Sequence, residues 1–245
     1  MVVVGGGFAG AAAASALTES GVTVTLLERR PTLGGRTSSF RDGVTREEAD
    51  NGQHLFMGCY KEVRRFLRRL KVGDRVQFFP SLDVKFLSPA GAAELACPVL
   101  AGHLGVLWGI GRYGAMSVGD RFSVLRALSG LRLRKRWGDL KNVTVSQWLA
   151  ALRQPAGARR AFWTPLCLAT LNERPEKACA EALAVVLREG FFSDSSSSAV
   201  GYCTVALGKL WSVELFAYLK RQGGVVASRQ AARGFEAQDD LVRSV

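Results

Sequence analysis

Val2-Val3-Val4-Gly5-Gly6-Gly7-Phe8-Ala9-Gly10 joins a strand-like apolar run to a glycine turn, and the Ala-rich stretch Ala11 to Glu19 that follows reads as a helix. Gly5, Gly7 and Gly10 fit G-x-G-x-x-G, a turn whose backbone can approach a pyrophosphate closely. Phe8 and Ala9 lie inside that turn, where the first N–H groups of the helix and the positive end of its dipole would face phosphates. Val22-Thr23-Val24-Thr25-Leu26-Leu27 reads as a second strand ending at Glu28, 18 residues past Gly10. An acid at that distance can accept hydrogen bonds from a ribose diol. Strand, turn, helix, strand and acid agree with one another, and together they predict a bound dinucleotide.

Beyond Glu28 the chain reads Arg29-Arg30-Pro31-Thr32-Leu33-Gly34-Gly35-Arg36. Gly34 and Gly35 let a second stretch of backbone pass close to the cofactor, with the guanidinium of Arg36 ready for phosphate oxygens and Arg29 beside the acid. A plain NAD fold does not need this element. The segment resembles the Gly-Gly-Arg segment of the FAD-dependent amine oxidase and phytoene desaturase superfamily, which makes FAD the expected cofactor. The alternative is an ordinary glycine turn with a solvated arginine.

Two further segments narrow the resemblance. Asp50-Asn51-Gly52-Gln53-His54 is similar to the D-N-G-Q-H segment of the squalene-associated FAD-dependent desaturases, or hydroxysqualene dehydroxylases. Trp163-Thr164-Pro165-Leu166-Cys167-Leu168-Ala169-Thr170-Leu171-Asn172 is similar to that family's W-x-P-L-x-x-A-x-x-N. The resemblance implies reductive removal of the hydroxyl of hydroxysqualene, giving squalene for hopanoid or related lipid synthesis, with hydride delivered from reduced flavin. An acid near the leaving oxygen would help such a step. His54 is the candidate by residue type, with Asp50 to orient it and Gln53 to bond the flavin ring or the substrate hydroxyl. A loop histidine holding backbone groups is the competing reading. Trp163, Pro165 and Leu166 are candidates for the hydrocarbon pocket, against a plain core role. The alternatives to this activity are a carotenoid (phytoene-type) desaturase, an amine oxidase-like flavoenzyme, or an inactive FAD-binding fragment.

Hydrophobic residues at 48% and charged residues at 22% are those of a globular protein rather than a disordered one. Five cysteines without a C-x-x-C pair, and only His54 and His103 as imidazoles, give no zinc spacing, so no metal is expected and the thiols read as those of a reduced, cytoplasmic protein. The net charge of +12 is uneven: residues 61–140 carry 15 basic and 6 acidic side chains. Lys61 to Lys71 places Val63, Phe66, Leu67 and Leu70 at helical spacing with Arg64, Arg65, Arg68 and Arg69 alongside. Arg132-Leu133-Arg134-Lys135-Arg136-Trp137 is a second basic cluster. Residues 61–136 therefore suit peripheral contact with anionic lipid on the inner face of the cytoplasmic membrane, or a merely solvated basic face. No recognition module supports nucleic acid as a partner. Leu95 to Met116 is apolar but broken by Pro98, His103 and Arg112, and reads as part of a substrate lobe rather than a spanning helix.

The expected fold class is α/β, a Rossmann-like FAD-binding domain with a largely helical inserted substrate domain. Residues 1–60 would form its N-terminal βαβ part, 61–200 the mainly helical, membrane-facing substrate domain and 201–245 the return to the FAD-binding domain. An isoprenoid lipid is the substrate implied by the resemblance. Leu210 to Lys220 reads as an amphipathic helix, closed by Gly223-Gly224 before a strand at Val225-Val226-Ala227 that would rejoin the nucleotide-binding sheet. Members of the family continue well past this point, and Arg233 to Asp240 has no family match, so the expectation is a C-terminally truncated member.

Overall fold

A computed structural model describes the chain except residues 53, 89–90, 99–103, 133–138, 194–195, 239–240 and 245. Gln53, His103, the run Leu133 to Trp137, part of the Ser193–Ser198 loop and the pair Asp239-Asp240 therefore lie outside the described residues. The chain divides into two compact units. The first comprises Met1–Phe56, Tyr60–Gln77 and Gly201–Val245, and the second Met57–Cys59 and Phe78–Val200.

In the first unit, strands Val2–Val4, Thr25–Glu28 and Val225–Ser228 form a parallel sheet with Thr25–Glu28 in the middle. The helix Phe8–Glu19 begins inside the glycine turn, three residues earlier than the Ala-rich run suggests. It buries Ala11, Ala14, Ser15 and Thr18, a stripe of small side chains at helical spacing that keeps the helix axis close to its neighbours. The helix Lys61–Arg69 buries Phe66 and Leu67, while Lys61, Arg64, Arg65 and Arg68 are exposed. Its Arg69 donates to Ser15 Oγ at 3.1 Å and also to Glu19 Oε2, and the hydrogen bonding from Arg69 to Glu19 holds that carboxyl below the usual carboxylate range. The helix Ser212–Arg221 buries Leu215 and Leu219 and packs against the first helix. Gly223, at φ +75°, turns the chain into the third strand.

The second unit is mostly helical: Leu104–Arg112, Val118–Arg132, Val145–Ala151, Thr164–Leu171 and Ala180–Phe191 surround a core that includes Ile110, Leu128, Leu131, Leu149, Trp163, Leu183 and Leu187. Thr144 and Gln147 close a reciprocal capping box at the start of Val145–Ala151. The sequence reading did not anticipate the antiparallel hairpin Leu82–Ser88 with Gly91–Cys97. The former apolar stretch from Leu95 is thereby split, its first residues ending a strand and Leu104–Arg112 forming a helix. Gly109 makes that packing possible, because a Cβ there would lie 2.7 Å from the Ala96 carbonyl oxygen. Burial at this contact pushes the Cys97 thiol up to about 12, with the charge of Asp83 adding to the effect. Among the described residues no helix is long and apolar enough to cross a membrane.

Candidate functional site

The glycine turn and the Gly34-Gly35 segment interlock. Gly5 adopts φ +98°, and its N–H donates to Leu27 O at 2.8 Å, anchoring the turn to the middle strand. Gly34 (φ +124°) donates its N–H to Gly6 O at 2.8 Å, and Gly7 and Gly34 form a parallel bridge. A Cβ on Gly35 would come within 3.2 Å of Gly7 Cα, so the second glycine pair is needed for backbone to pass over backbone. Thr37 fastens the segment, its Oγ1 donating to Gly34 O at 2.7 Å.

Glu28 is buried, and both its oxygens are engaged: Gly6 N–H donates to Oε2 at 2.7 Å and Arg30 N–H to Oε1 at 2.8 Å. An ionised carboxylate offers about four acceptor positions, which leaves room for a ribose diol. Gly6 and Arg30 are contributors that motif reading missed; the signal for Gly6 was a third consecutive glycine where the motif asks for only two. A Cβ on Gly6 would run into Leu33 Cδ2 and crowd Glu28 Oε2 at 3.1 Å, so a side chain there requires Leu33 to move. The Glu28→Ala variant leaves two N–H donors without their partner, and dinucleotide binding should weaken by roughly 1–3 kcal/mol, the scale for lost buried hydrogen bonds. Equal affinity in a fluorescence-quench titration would remove Glu28 from the ribose site.

The helix Phe8–Glu19 starts at Gly7 with no side-chain cap, leaving its first-turn N–H groups, those of Phe8, Ala9 and Gly10, to an external anion. A Cβ on Gly5 would meet nothing within 4 Å, so the turn borders open space there. These features fit a pyrophosphate. The Phe8 ring packs edge-on against Phe56, Phe66 and Trp211, with centroids 6.4, 5.7 and 5.3 Å away. That cluster fixes where the helix begins. Arg29 and Arg36 are exposed, and Arg36 has no hydrogen bond or ion pair among the described residues.

The remaining candidates occupy simpler settings. Asp50 ends the strand Glu48–Asp50, and its Oδ1 accepts from Ser39 Oγ at 2.6 Å and from Leu207 N–H at 2.9 Å. His54 Nδ1 lies 3.0 Å from Gly52 O. Asp50 and His54 are thus each engaged elsewhere rather than with one another. Trp163 belongs to the second unit, is fully buried, and donates Nε1–H to Gln154 Oε1 at 2.8 Å. Pro165 and Leu166 are half-buried at the start of Thr164–Leu171. A π turn over Arg159–Trp163 precedes this helix and accommodates Pro165, which has no N–H to give to the ladder. Asn172 ends the helix at φ +51°.

Residues 3–70 match the family of NAD(P)-binding Rossmann-like domains. A carotenoid phi-ring synthase from Streptomyces griseus is 49% identical over 74 residues, 29% of this chain and 14% of that protein. A 15-cis-phytoene desaturase from Arabidopsis thaliana is 22% identical over 98% of this chain and 43% of its own length. A hydroxysqualene dehydroxylase from Sinorhizobium fredii is 33% identical over 87 residues, 34% of this chain and 21% of that protein. The chain spans less than half the length of these curated relatives. Among solved structures, an oxidoreductase from Methanosarcina mazei superposes with a TM-score of 0.66 at 16% identity, covering 100% of this chain and 56% of that one. Amine oxidases share the fold as well. The core is therefore a Rossmann-like FAD-binding α/β domain carrying additional helical and strand elements, a fold it shares with amine oxidases, and its sequence is similar to that of phytoene desaturases.

Proposed function

We propose that this chain is the nucleotide-binding and substrate-lobe portion of an FAD-dependent oxidoreductase that acts on an isoprenoid hydrocarbon in the manner of a phytoene desaturase. The observation that carries the cofactor is the interlocked pair of glycine segments above Glu28. The substrate class draws its support from the desaturase likeness, which runs along almost the whole chain. FAD would supply hydride exchange at its ring system. The chain's own residues would hold it: the turn Gly5–Gly10 and the first-turn N–H groups take the pyrophosphate, Glu28 the ribose, and Arg29 and Arg36 further phosphate charge. The exposed cations Lys61, Arg64, Arg65 and Arg68 would hold the protein against an anionic lipid surface from which so apolar a substrate is drawn.

A second reading, dehydroxylation of hydroxysqualene, is favoured by the two segments around Asp50–His54 and Trp163–Asn172. In it His54 protonates the departing hydroxyl, while Asp50 braces the loop through Ser39 and Leu207. The first experiment is the visible spectrum of the purified, desalted chain, where flavin bands near one FAD per chain are expected. A colourless, folded protein that cannot be reconstituted would defeat both readings. Product analysis with phytoene and with hydroxysqualene then separates them. Under the second reading His54→Ala keeps its flavin and loses about a hundredfold in turnover, the scale of general acid catalysis; unchanged turnover would take His54 out of the chemistry.

A further inference from the structure

The helices Leu104–Arg112 and Val118–Arg132 pack against one another and send Val106, Ile110, Val124 and Leu128 into the same core. Their outer faces therefore lie side by side, and both are apolar. Leu104 and Trp108, one turn apart on the first helix, are 51% and 56% exposed; Val118 and Phe122, one turn apart on the second, are 78% and 69% exposed. One further turn along each stripe stands an exposed arginine, Arg112 and Arg126 respectively. The Arg112 guanidinium lies over the Trp108 ring, 5.8 Å from its centroid. Arg121 pins the turn between the helices, donating Nε–H to Met116 O at 3.0 Å and Nη1–H to Gly111 O at 3.2 Å. Between Arg112 and Val118 that turn exposes only Gly114, Ala115 and Ser117. The one acid on these two helices, Asp120, is committed to the protein: its Oδ2 accepts from Ser117 Oγ at 2.7 Å and its Oδ1 from Ala158 N–H at 3.2 Å. From Leu104 to Arg136 the chain holds seven basic residues against that single acid. On the hairpin side the patch ends at the carboxylates of Asp83 and Glu94, which border a cleft with Trp108. Large apolar side chains exposed together on neighbouring helices mark an interaction surface rather than one that faces water alone.

We infer that this two-helix face docks on an anionic phospholipid bilayer, with Leu104, Trp108, Val118 and Phe122 entering the boundary between headgroups and acyl chains. Arg112 and Arg126 suit its rim, because an arginine stem lies along apolar surface while the guanidinium stays among water and lipid phosphates. Tryptophan belongs at that boundary, since its apolar ring carries a polar N–H. No described helix is long and apolar enough to span a bilayer, so the contact is shallow and lies in the plane of the surface. It deepens the lipid contact proposed above, yet needs neither flavin nor substrate, so a colourless protein would defeat the cofactor reading and leave this one standing. Flotation of the full chain with phosphatidylcholine vesicles, with and without phosphatidylglycerol, tests it. Trp108 fluorescence, isolated by comparison with Trp108→Phe, is followed in parallel in vesicles of brominated lipid. Flotation on the anionic vesicles and quenching of Trp108 are expected, and partitioning should fall about tenfold or more in the Val118→Ser/Phe122→Ser variant. Both positions are exposed, and a wild-type thermal melt would show that the variant folds. Wild-type protein that fails to float would overturn the inference. So would flotation that the folded apolar variant retains in full but a variant with Lys61, Arg64, Arg65 and Arg68 all changed to Gln loses, which would make the contact one of charge on the other unit. A dimer in light scattering that the apolar variant dissociates, with no flotation of the wild type, would make the face an interface between copies instead.

Discussion

Replacing Gly10 by alanine should destabilise the first unit by about 3 kcal/mol and abolish retention of flavin through desalting. In an ordinary helix the same change gains stability, because alanine exceeds glycine in helix propensity by about 1 kcal/mol. Here the geometry reverses the sign. A Cβ on Gly10 would be driven into the carbonyl oxygen of Gly5, with the Gly5 carbonyl carbon 3.1 Å away, and both are backbone atoms of the turn itself. Gly5 cannot retreat, since its N–H is tied to Leu27 O. Overpacking against fixed backbone lies at the upper end of the usual 1–3 kcal/mol range, and for a chain of this size that corresponds to a fall of roughly 6–12 °C in Tm. Gly119→Ala is the matched control: it adds a methyl near the start of Val118–Arg132 where the nearest atom is Ser117 Oγ at 4.0 Å, and it should leave both readouts unharmed. Wild-type melting and flavin content in Gly10→Ala would mean that the turn does not close as described.

Trp163→Ala should cost the second unit about 3–5 kcal/mol, the range for truncating a large buried aromatic. The ring is wholly enclosed, edge-on to Phe162 at 5.0 Å and to Trp148 at 6.4 Å. Its removal also deprives Gln154 Oε1 of its donor, and Gln154 is itself tied to Ser123 O and Oγ at 3.1 and 3.0 Å. The damage therefore spreads to the helix Val118–Arg132. Trp163→Phe, which keeps most of the volume and loses the hydrogen bond, should cost about 1–3 kcal/mol. Denaturant titration orders the variants. Unchanged stability in Trp163→Ala, with altered product selectivity, would instead make Trp163 a wall of the hydrocarbon pocket.

The nucleotide-binding turn was legible in the sequence because its chemistry is local. Gly5 to Gly10 and Glu28 fall within one βαβ unit, and each residue type answers a requirement that can be stated without coordinates. What the turn packs against was not legible. Nothing in the spacing of Phe8, Phe56, Phe66 and Trp211 says that four rings meet, since the contact depends on packing between segments far apart in the chain. The hairpin Leu82–Cys97 escaped for a different reason. Its alternation of Leu82, Val84 and Phe86 is a period-two signal, but it lies among helical segments and its return strand is rich in alanine, a poor strand former. Arg69 was read as one more cation on a basic face, whereas its side chain is largely enclosed and ties Lys61–Arg69 to the first helix.

The strand Val225–Ser228 sets an order on events during synthesis. It pairs with Thr25–Glu28, and the next residues continue the attachment, Arg229 N–H donating to Arg30 O and Gln230 N–H to Glu28 O. The second edge of the middle strand, the one that ends at Glu28, thus receives its partner only after some two hundred further residues have left the ribosome. The second unit, whose contacts are largely its own, can fold in that interval. Until then the edge of Thr25–Glu28 is an open template for any extended chain. Nascent chains arrested before Val225 should accordingly engage chaperones and aggregate more readily than chains released after Gln230.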